Sequence, residues 1–98
     1  MNGFKATANR NQVAPEKRLE VRLDTPRGED GEACLPGFYI FVRKSAQQWR
    51  VLLIRFVRRR DAELARAALL REGISTFGQL GKAGAARVRQ IIGEAMQW

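Results

Sequence analysis

Two apolar runs on either side of a short polar segment constrain the fold of this chain more than any other feature. The first run is "FYIFVRK" (38–44), and the second is "WRVLLIRFV" (49–57). The polar segment "SAQQ" (45–48) has the length of a hairpin connection, so the pattern predicts a β-hairpin. Alternation predicts that apolar side chains cover both faces of its second strand: Trp49, Val51 and Leu53 on one side, and Leu52, Ile54 and Phe56 on the other.

The second run also fits a helix, which leaves an alternative open. Its large apolar residues recur at helical spacing between Trp49 and Phe56, and Ser45 and Gln48 have the spacing of a capping box. A single helix over 46–72 would follow. We favour the strand because Val, Ile, Phe and Trp are enriched in sheets, and because so long a helix would be unusual in a small chain.

The segment "RLEVRLD" (18–24) alternates strictly between apolar and charged residues, which predicts a half-buried antiparallel strand. Residues 25–37 are rich in turn-forming residues and are expected to form a loop. Residues 1–16 are polar and are predicted to be a flexible tail.

The segment "DAELARAALLREG" (61–73) has the clearest helical pattern. Asp61 is expected to cap its N-terminus, and Gly73 is expected to stop it. The predicted buried stripe consists of three residues: Leu64, Ala68 and Leu69.

Two further helices are predicted near the end of the chain. Thr76 and Gln79 have capping-box spacing at the start of a short helix over 75–81. A third helix over 84–98 buries a stripe formed by four residues: Val88, Ile91, Ile92 and Ala95.

These elements together predict an α+β fold. A small antiparallel sheet of about three strands (about 18–57) precedes two or three packed C-terminal helices (about 61–96). The length of 98 residues fits a single domain, which we place at 17–98.

The chain has a formal net charge of +8, and the cations are concentrated in its second half. Residues 50–98 contain ten basic and four acidic residues, whereas residues 1–49 contain eight and six. Fourteen cations are Arg, and Arg suits bidentate contacts with phosphate and guanine. This balance favours a polyanionic partner, nucleic acid first. A GC-rich genome would also raise the Arg content, and composition does not separate the two explanations.

Enzymatic and metal-dependent functions find little support in the residue types present. The chain has no His, which excludes Ser–His and Cys–His pairs and His-containing metal sites. A lone cysteine, Cys34, excludes an internal disulfide and favours a reducing compartment. No apolar run is long enough for a signal peptide or a membrane span. We therefore expect a cytoplasmic, non-enzymatic protein with no cofactor and no membrane partner.

The densest group of cations lies in "RFVRRRD" (55–61), between the hairpin and the first predicted helix. Cations oppose the dipole at a helix N-terminus, so several of them there suggest an anion supplied from outside. The alternative is an exposed connector that binds no ligand.

The segment "LLREGISTFGQLGKAGAARVRQIIGEA" (69–95) combines a helix, a short helix, a glycine-containing turn and an amphipathic helix. It resembles the helix-hairpin-helix class of DNA-binding modules, in which a glycine-rich turn presents backbone amides to a DNA phosphate. Gly81 and Gly84 lie three residues apart, where the class usually has two. The resemblance implies phosphate contacts by three side chains: Lys82, Arg87 and Arg89. The same pattern would also serve as a plain connector between helices.

The order of a basic hairpin and then a helix also resembles the small sheet-plus-helix DNA-binding domains of mobile-element recombinases and plant-type transcription factors. The resemblance implies that the hairpin enters the major groove. The hairpin residues that contact base edges would be Arg43, Lys44 and Arg50. Trp49 would either stack there or pack in the core, and we favour the core.

The sequence therefore predicts a nucleic-acid-binding protein, for duplex DNA, in a prokaryotic or mobile-element context. The predicted binding residues are all basic: Arg43, Lys44, Arg50, Arg55, Arg58, Arg59, Arg60, Lys82, Arg87 and Arg89. The alternative is a small basic adaptor or inhibitor that binds an acidic protein surface. A homodimer is a further candidate assembly.

Overall fold

The computed structural model describes residues 14–97, in which three strands precede three helices. The strands are β1 (Leu19–Asp24), β2 (Gly37–Ser45) and β3 (Gln48–Val51). The helices are α1 (Arg59–Arg71), α2 (Phe77–Ala83) and α3 (Ala85–Met96). This arrangement confirms the predicted α+β fold class. Residues 1–13 of the predicted tail and Trp98 lie outside the described residues, and Pro15–Lys17 forms a short 3₁₀ helix.

The sheet is an antiparallel meander in the order β1-β2-β3. Val21 lies opposite Ile40 across the first pair of strands, and Arg43 lies opposite Trp49 across the second. The strand interpretation of the second apolar run is thus confirmed, and the alternative helix over 46–72 is wrong.

The third strand is shorter than the predicted 49–57. Regular pairing ends at Val51, although the Leu52 amide still donates to the Ile40 carbonyl at 2.8 Å. Phe56 then rejoins the edge of the sheet as an isolated bridge to Phe38. The segment 52–55 therefore runs irregularly beside β2, and its two faces are not both covered as predicted.

The core lies between one face of the sheet and the helices, and we call this face the helix-side face. The sheet contributes four aliphatic side chains: Leu19, Val21, Ile40 and Val42. Helix α1 contributes three alanines, Ala62, Ala65 and Ala68, whose small size lets the helix approach the sheet closely. Leu69 completes the stripe, and Val88, Ile91 and Ile92 of α3 pack behind it as predicted. Leu64, which was predicted to be buried, is exposed instead.

Helix α1 begins two residues earlier than predicted. Arg58 is the N-cap residue and makes no side-chain capping bond, so the prediction of Asp61 as the cap is wrong. Asp61 lies in the first turn, where a carboxylate interacts favourably with the helix dipole. The predicted stop is confirmed: Gly73 has φ +75°, and the Ile74 amide donates back to the Leu69 carbonyl at 2.9 Å.

Side-chain hydrogen bonds tie α1 to the start of the sheet and cap the start of α2. Arg66 reaches from α1 to the start of β1, where its Nε donates to the Leu19 carbonyl at 2.7 Å and its second nitrogen donates to the Glu16 carbonyl. The predicted capping box of α2 is present, with the Gln79 amide donating to the Thr76 hydroxyl at 3.0 Å.

Candidate nucleic-acid interface

The second face of the sheet has aromatic and charged side chains, and we call it the open face. Strand alternation places eight side chains there, two of them acidic: Glu20, Arg22, Asp24, Tyr39, Phe41, Arg43, Trp49 and Val51. Within residues 14–97 the helices pack on the helix-side face, and the core cluster contains neither Tyr39 nor Phe41. Trp49 is partly exposed on the open face, so the preference for placing it in the core is wrong.

Arginine side chains cover the aromatic rings of the open face. The Arg22 guanidinium carbon lies 4.7 Å from the centre of the Phe41 ring and 4.8 Å from that of Trp49. Arg43 lies over the other side of this group, 5.6 Å from the Trp49 ring. Glu20 holds Arg22 in place, with 2.9 Å between Oε1 and Nε. Stacking on rings fixes the plane of each guanidinium and leaves its N–H edges directed along the surface.

A third arginine lies at the opposite end of the open face, above Gly37. A Cβ on Gly37 would lie 2.8 Å from the Arg55 Cγ, so glycine is needed for the arginine to cross the strand. The Arg55 Nε donates to the Pro36 carbonyl at 2.8 Å, which fixes the side chain. The open face therefore has guanidinium groups at both ends and at its centre.

Tyr39 anchors the loop beside this face. The side chain is 2% exposed, and its hydroxyl donates to the Leu35 carbonyl at 2.7 Å. Burial raises the pKa of the Tyr39 hydroxyl above its ordinary value; Cys34 and Asp24 raise it further, and Arg55 opposes the shift. Tyr39 is therefore a neutral hydrogen-bond donor at physiological pH.

The predicted cluster in "RFVRRRD" does not act as one unit. Arg55 belongs to the open face, whereas Arg59, although exposed, lies against Phe38 and β1. The Arg59 guanidinium lies 5.0 Å from the Phe38 ring, and one nitrogen lies 3.4 Å from the Val21 carbonyl oxygen. Arg58 and Arg60 are exposed at the start of α1. The segment is thus partly structural and partly exposed.

The three hairpin residues predicted to contact base edges point to different sides of the sheet. Arg43 is on the open face. Lys44 is on the helix-side face, where its Nζ lies 5.4 Å from the Phe77 ring. Arg50 pairs with Val42 and shares that face, beside Arg89 of α3. Strand alternation makes this separation unavoidable, because Arg43 and Lys44 are adjacent residues.

The predicted glycine-rich turn is shorter than the resemblance implied. Gly81 and Lys82 belong to α2, and Gly84 alone connects α2 to α3. Gly84 has φ 86° and ψ 157°, a conformation that is essentially restricted to glycine. Arg87 pairs with Glu72 at 2.9 Å, which offsets part of the positive charge nearby.

Arg22 is the central residue that sequence reasoning missed. Its position on the charged side of "RLEVRLD" was clear, but its contact with Phe41 and Trp49 depends on the order of the strands. A signal was available: Arg22, Phe41 and Trp49 occupy the same side of consecutive antiparallel strands once the hairpin register is assumed.

Residues 14–97 contain no helix long and apolar enough to cross a membrane. In the same part of the chain, no three acidic or cysteine side chains come together as metal ligands. No protein-family model matches the chain, and neither curated protein sequences nor solved structures give a significant match.

Proposed function

We propose that this protein is a non-enzymatic nucleic-acid-binding protein that binds duplex DNA through the open face of its sheet. One observation supports this most strongly: the Arg22 guanidinium lies over the Phe41 and Trp49 rings on a face that the described helices leave free. Arg43 and Arg55 extend the cationic surface to both ends of the sheet.

The dimensions of the sheet fit a major groove. Neighbouring strands lie about 4.8 Å apart, so three strands span about 10 Å between the outer backbones. The major groove of B-DNA is about 12 Å wide, which accommodates this backbone span, and it admits a two-stranded β-ribbon. Arg43 and Arg55, at the ends of the open face, would contact phosphates, and Arg22 at its centre would contact base edges.

The covering of the rings favours duplex over single-stranded nucleic acid. Proteins that bind single strands present exposed aromatic rings on which bases stack. Here Phe41 is only 9% exposed, and the Arg22 guanidinium occupies its outer side. The outermost group above Phe41 is therefore a guanidinium, and the N–H donors at its edge suit phosphates and guanine edges.

The test measures binding to a labelled random-sequence duplex between about 50 and 200 mM salt. Two variants are compared with the natural chain. One replaces the open-face arginines (Arg22→Ala, Arg43→Ala, Arg55→Ala), and the other replaces exposed arginines at the two ends of α1 (Arg58→Ala, Arg60→Ala, Arg71→Ala). Both lower the net charge of +8 by three.

We expect the open-face variant to reduce the slope of log affinity against log salt by about 2, at about 0.9 for each of the two phosphate contacts assigned to Arg43 and Arg55. The α1 variant should change the slope by less than half of this. Equal effects would show that only net charge matters and would contradict an interface on the sheet. A single strand that competes as well as the duplex would contradict the choice of duplex DNA.

A further inference from the structure

An apolar groove lies on the opposite side of the molecule from the open face. The segment 50–54 forms one wall, and α2 and the start of α3 form the other. Its volume is about 310 Å³. The main apolar side chains that line it come from both walls: Leu52, Leu53, Ile54, Phe77, Leu80 and Val88.

The groove exists because the helices do not extend across the whole sheet. Helix α1 packs on β1 and β2, and α2 packs on β2. The helix-side face of β3 and the irregular segment after it therefore project beyond the helical layer. Leu53 and Phe77 remain 43% and 45% exposed on the two walls, although both are large apolar residues. Apolar side chains left facing each other across a groove are typical of a surface that another molecule covers.

The charges around the groove indicate the chemistry of its occupant. Arg50 and Arg89 belong to the lining, and no acidic residue does. Lys44 adds a third cation, with its Nζ over the Phe77 ring. An apolar surface bordered only by cations complements an apolar segment with acidic flanks.

Two occupants from this chain are disfavoured by the same charges. Residues 1–13 contain Lys5 and Arg10 and no acidic residue, so they would add positive charge to a cationic border. A second copy of the chain would bring another net charge of +8. A small amphiphile is disfavoured because the exposed walls would leave much of its surface in water, whereas ligand pockets usually bury most of a small ligand.

We propose that this groove binds an acidic peptide segment of a partner protein, with large apolar side chains of the segment between Leu53 and Phe77 and its carboxylates against Arg50 and Arg89. This binding surface is separate from the open face, and the inference does not depend on the proposed binding of DNA. A protein with both surfaces would connect nucleic acid to an acidic partner.

The test is selection of a random dodecapeptide library, displayed on phage, against the immobilised protein. We expect the enriched peptides to combine acidic residues with large apolar ones. A selected peptide is then synthesised and its affinity measured for Leu53→Ser and for the double variant Arg50→Glu, Arg89→Glu. Each should weaken binding about tenfold or more, as expected when an apolar anchor or a complementary charge pair is removed.

Matched controls carry the same changes elsewhere. Leu35→Ser removes a leucine that is even more exposed, and the double variant Arg60→Glu, Arg71→Glu reverses two exposed charges on α1. Both should leave peptide affinity unchanged, and thermal unfolding should show that all variants fold. The groove variants should also leave the salt dependence of DNA binding largely intact.

Four results would overturn the inference. The library could give no enrichment, or the enriched peptides could lack acidic residues. The controls could weaken binding as much as the groove variants do. Sedimentation could also show a dimer that Leu53→Ser dissociates, in which case a second copy occupies the groove.

Discussion

The two faces of the sheet bury adjacent residues of β2 under different kinds of cover. On β2, Ile40 is 1% exposed beneath the alanines of α1, and its neighbour Phe41 is 9% exposed beneath the Arg22 guanidinium. A helical cover is permanent, because removing it would require unfolding. An arginine cover can rotate and exchange its contacts. Low exposure therefore marks the core on one face, whereas on the other it is compatible with a binding surface.

Alanine substitutions at these two adjacent positions should separate the faces most clearly. Ile40→Ala leaves a cavity in a close-packed core, and we expect it to lower the free energy of unfolding by about 2–5 kcal/mol. Phe41→Ala should cost about 1–3 kcal/mol, less than the roughly 3–5 kcal/mol typical of an enclosed phenylalanine, because Arg22 and water can fill the space. Urea unfolding of both variants measures these values.

The effects on DNA binding should be reversed. Under conditions where both variants are folded, Phe41→Ala should weaken DNA binding, whereas Ile40→Ala should not, because Phe41 contacts the Arg22 guanidinium and Ile40 lies on the other face. A Phe41→Ala variant that costs as much stability as Ile40→Ala and binds DNA normally would indicate that the open face is simply a second core.

The pH dependence of the free energy of unfolding tests whether the Tyr39 hydroxyl stays buried against the loop that contains Leu35. The pKa of Tyr39 is raised in the folded protein, so the folded state holds the proton more tightly than the unfolded state. The resulting stability is fully present below the unfolded pKa of about 10 and is lost as the pH rises through the folded value. We expect the free energy of unfolding to fall as the pH rises above about 10.

Tyr39 is the only tyrosine in the chain, so tyrosinate absorbance reports its titration directly. Tyr39→Phe should remove most of this alkaline decline, while leaving the Leu35 carbonyl unpaired at a cost of about 1 kcal/mol at neutral pH. Titration of Tyr39 at its ordinary pKa in the folded protein would mean that the hydroxyl is exposed and the loop open.

Most of the fold could be predicted from local patterns in the sequence. Strict alternation identified β1, the four polar residues at 45–48 located the hairpin, and Thr76 with Gln79 identified the start of α2. Each signal depends on neighbours within a few residues, where backbone geometry dominates. Glycine at position 73 ended α1 for the same reason.

The wrong predictions concern which face of a helix or strand a residue occupies, because this depends on contacts between residues far apart in the sequence. The buried stripe of α1 is centred on Ala62 and Ala65 rather than Leu64, because small residues permit close approach to the sheet. Trp49 lies on the open face because the helices cover the other one. The groove beside Leu53 follows from the irregular path of 52–55, for which the apolar run gave no warning.

The substitution with the smallest expected effect is Arg22→Lys, which separates the charge of the residue at the centre of the open face from its shape. Arg22→Lys keeps the net charge of +8 but replaces a planar guanidinium, stacked over two rings, with a compact ammonium. We expect a loss of about 0.5–1 kcal/mol in the free energy of unfolding, the usual size of a cation–π contact at an exposed site.

The salt slope of DNA binding should stay unchanged in Arg22→Lys because no charge is lost. The affinity should fall by about two- to fivefold because an ammonium does not reproduce a bidentate contact. Arg71→Lys, which makes the same exchange on exposed α1, should alter neither quantity. If Arg22→Lys also binds DNA as the natural chain does, the rings serve only to hold a cation in place, and the open face acts through charge alone.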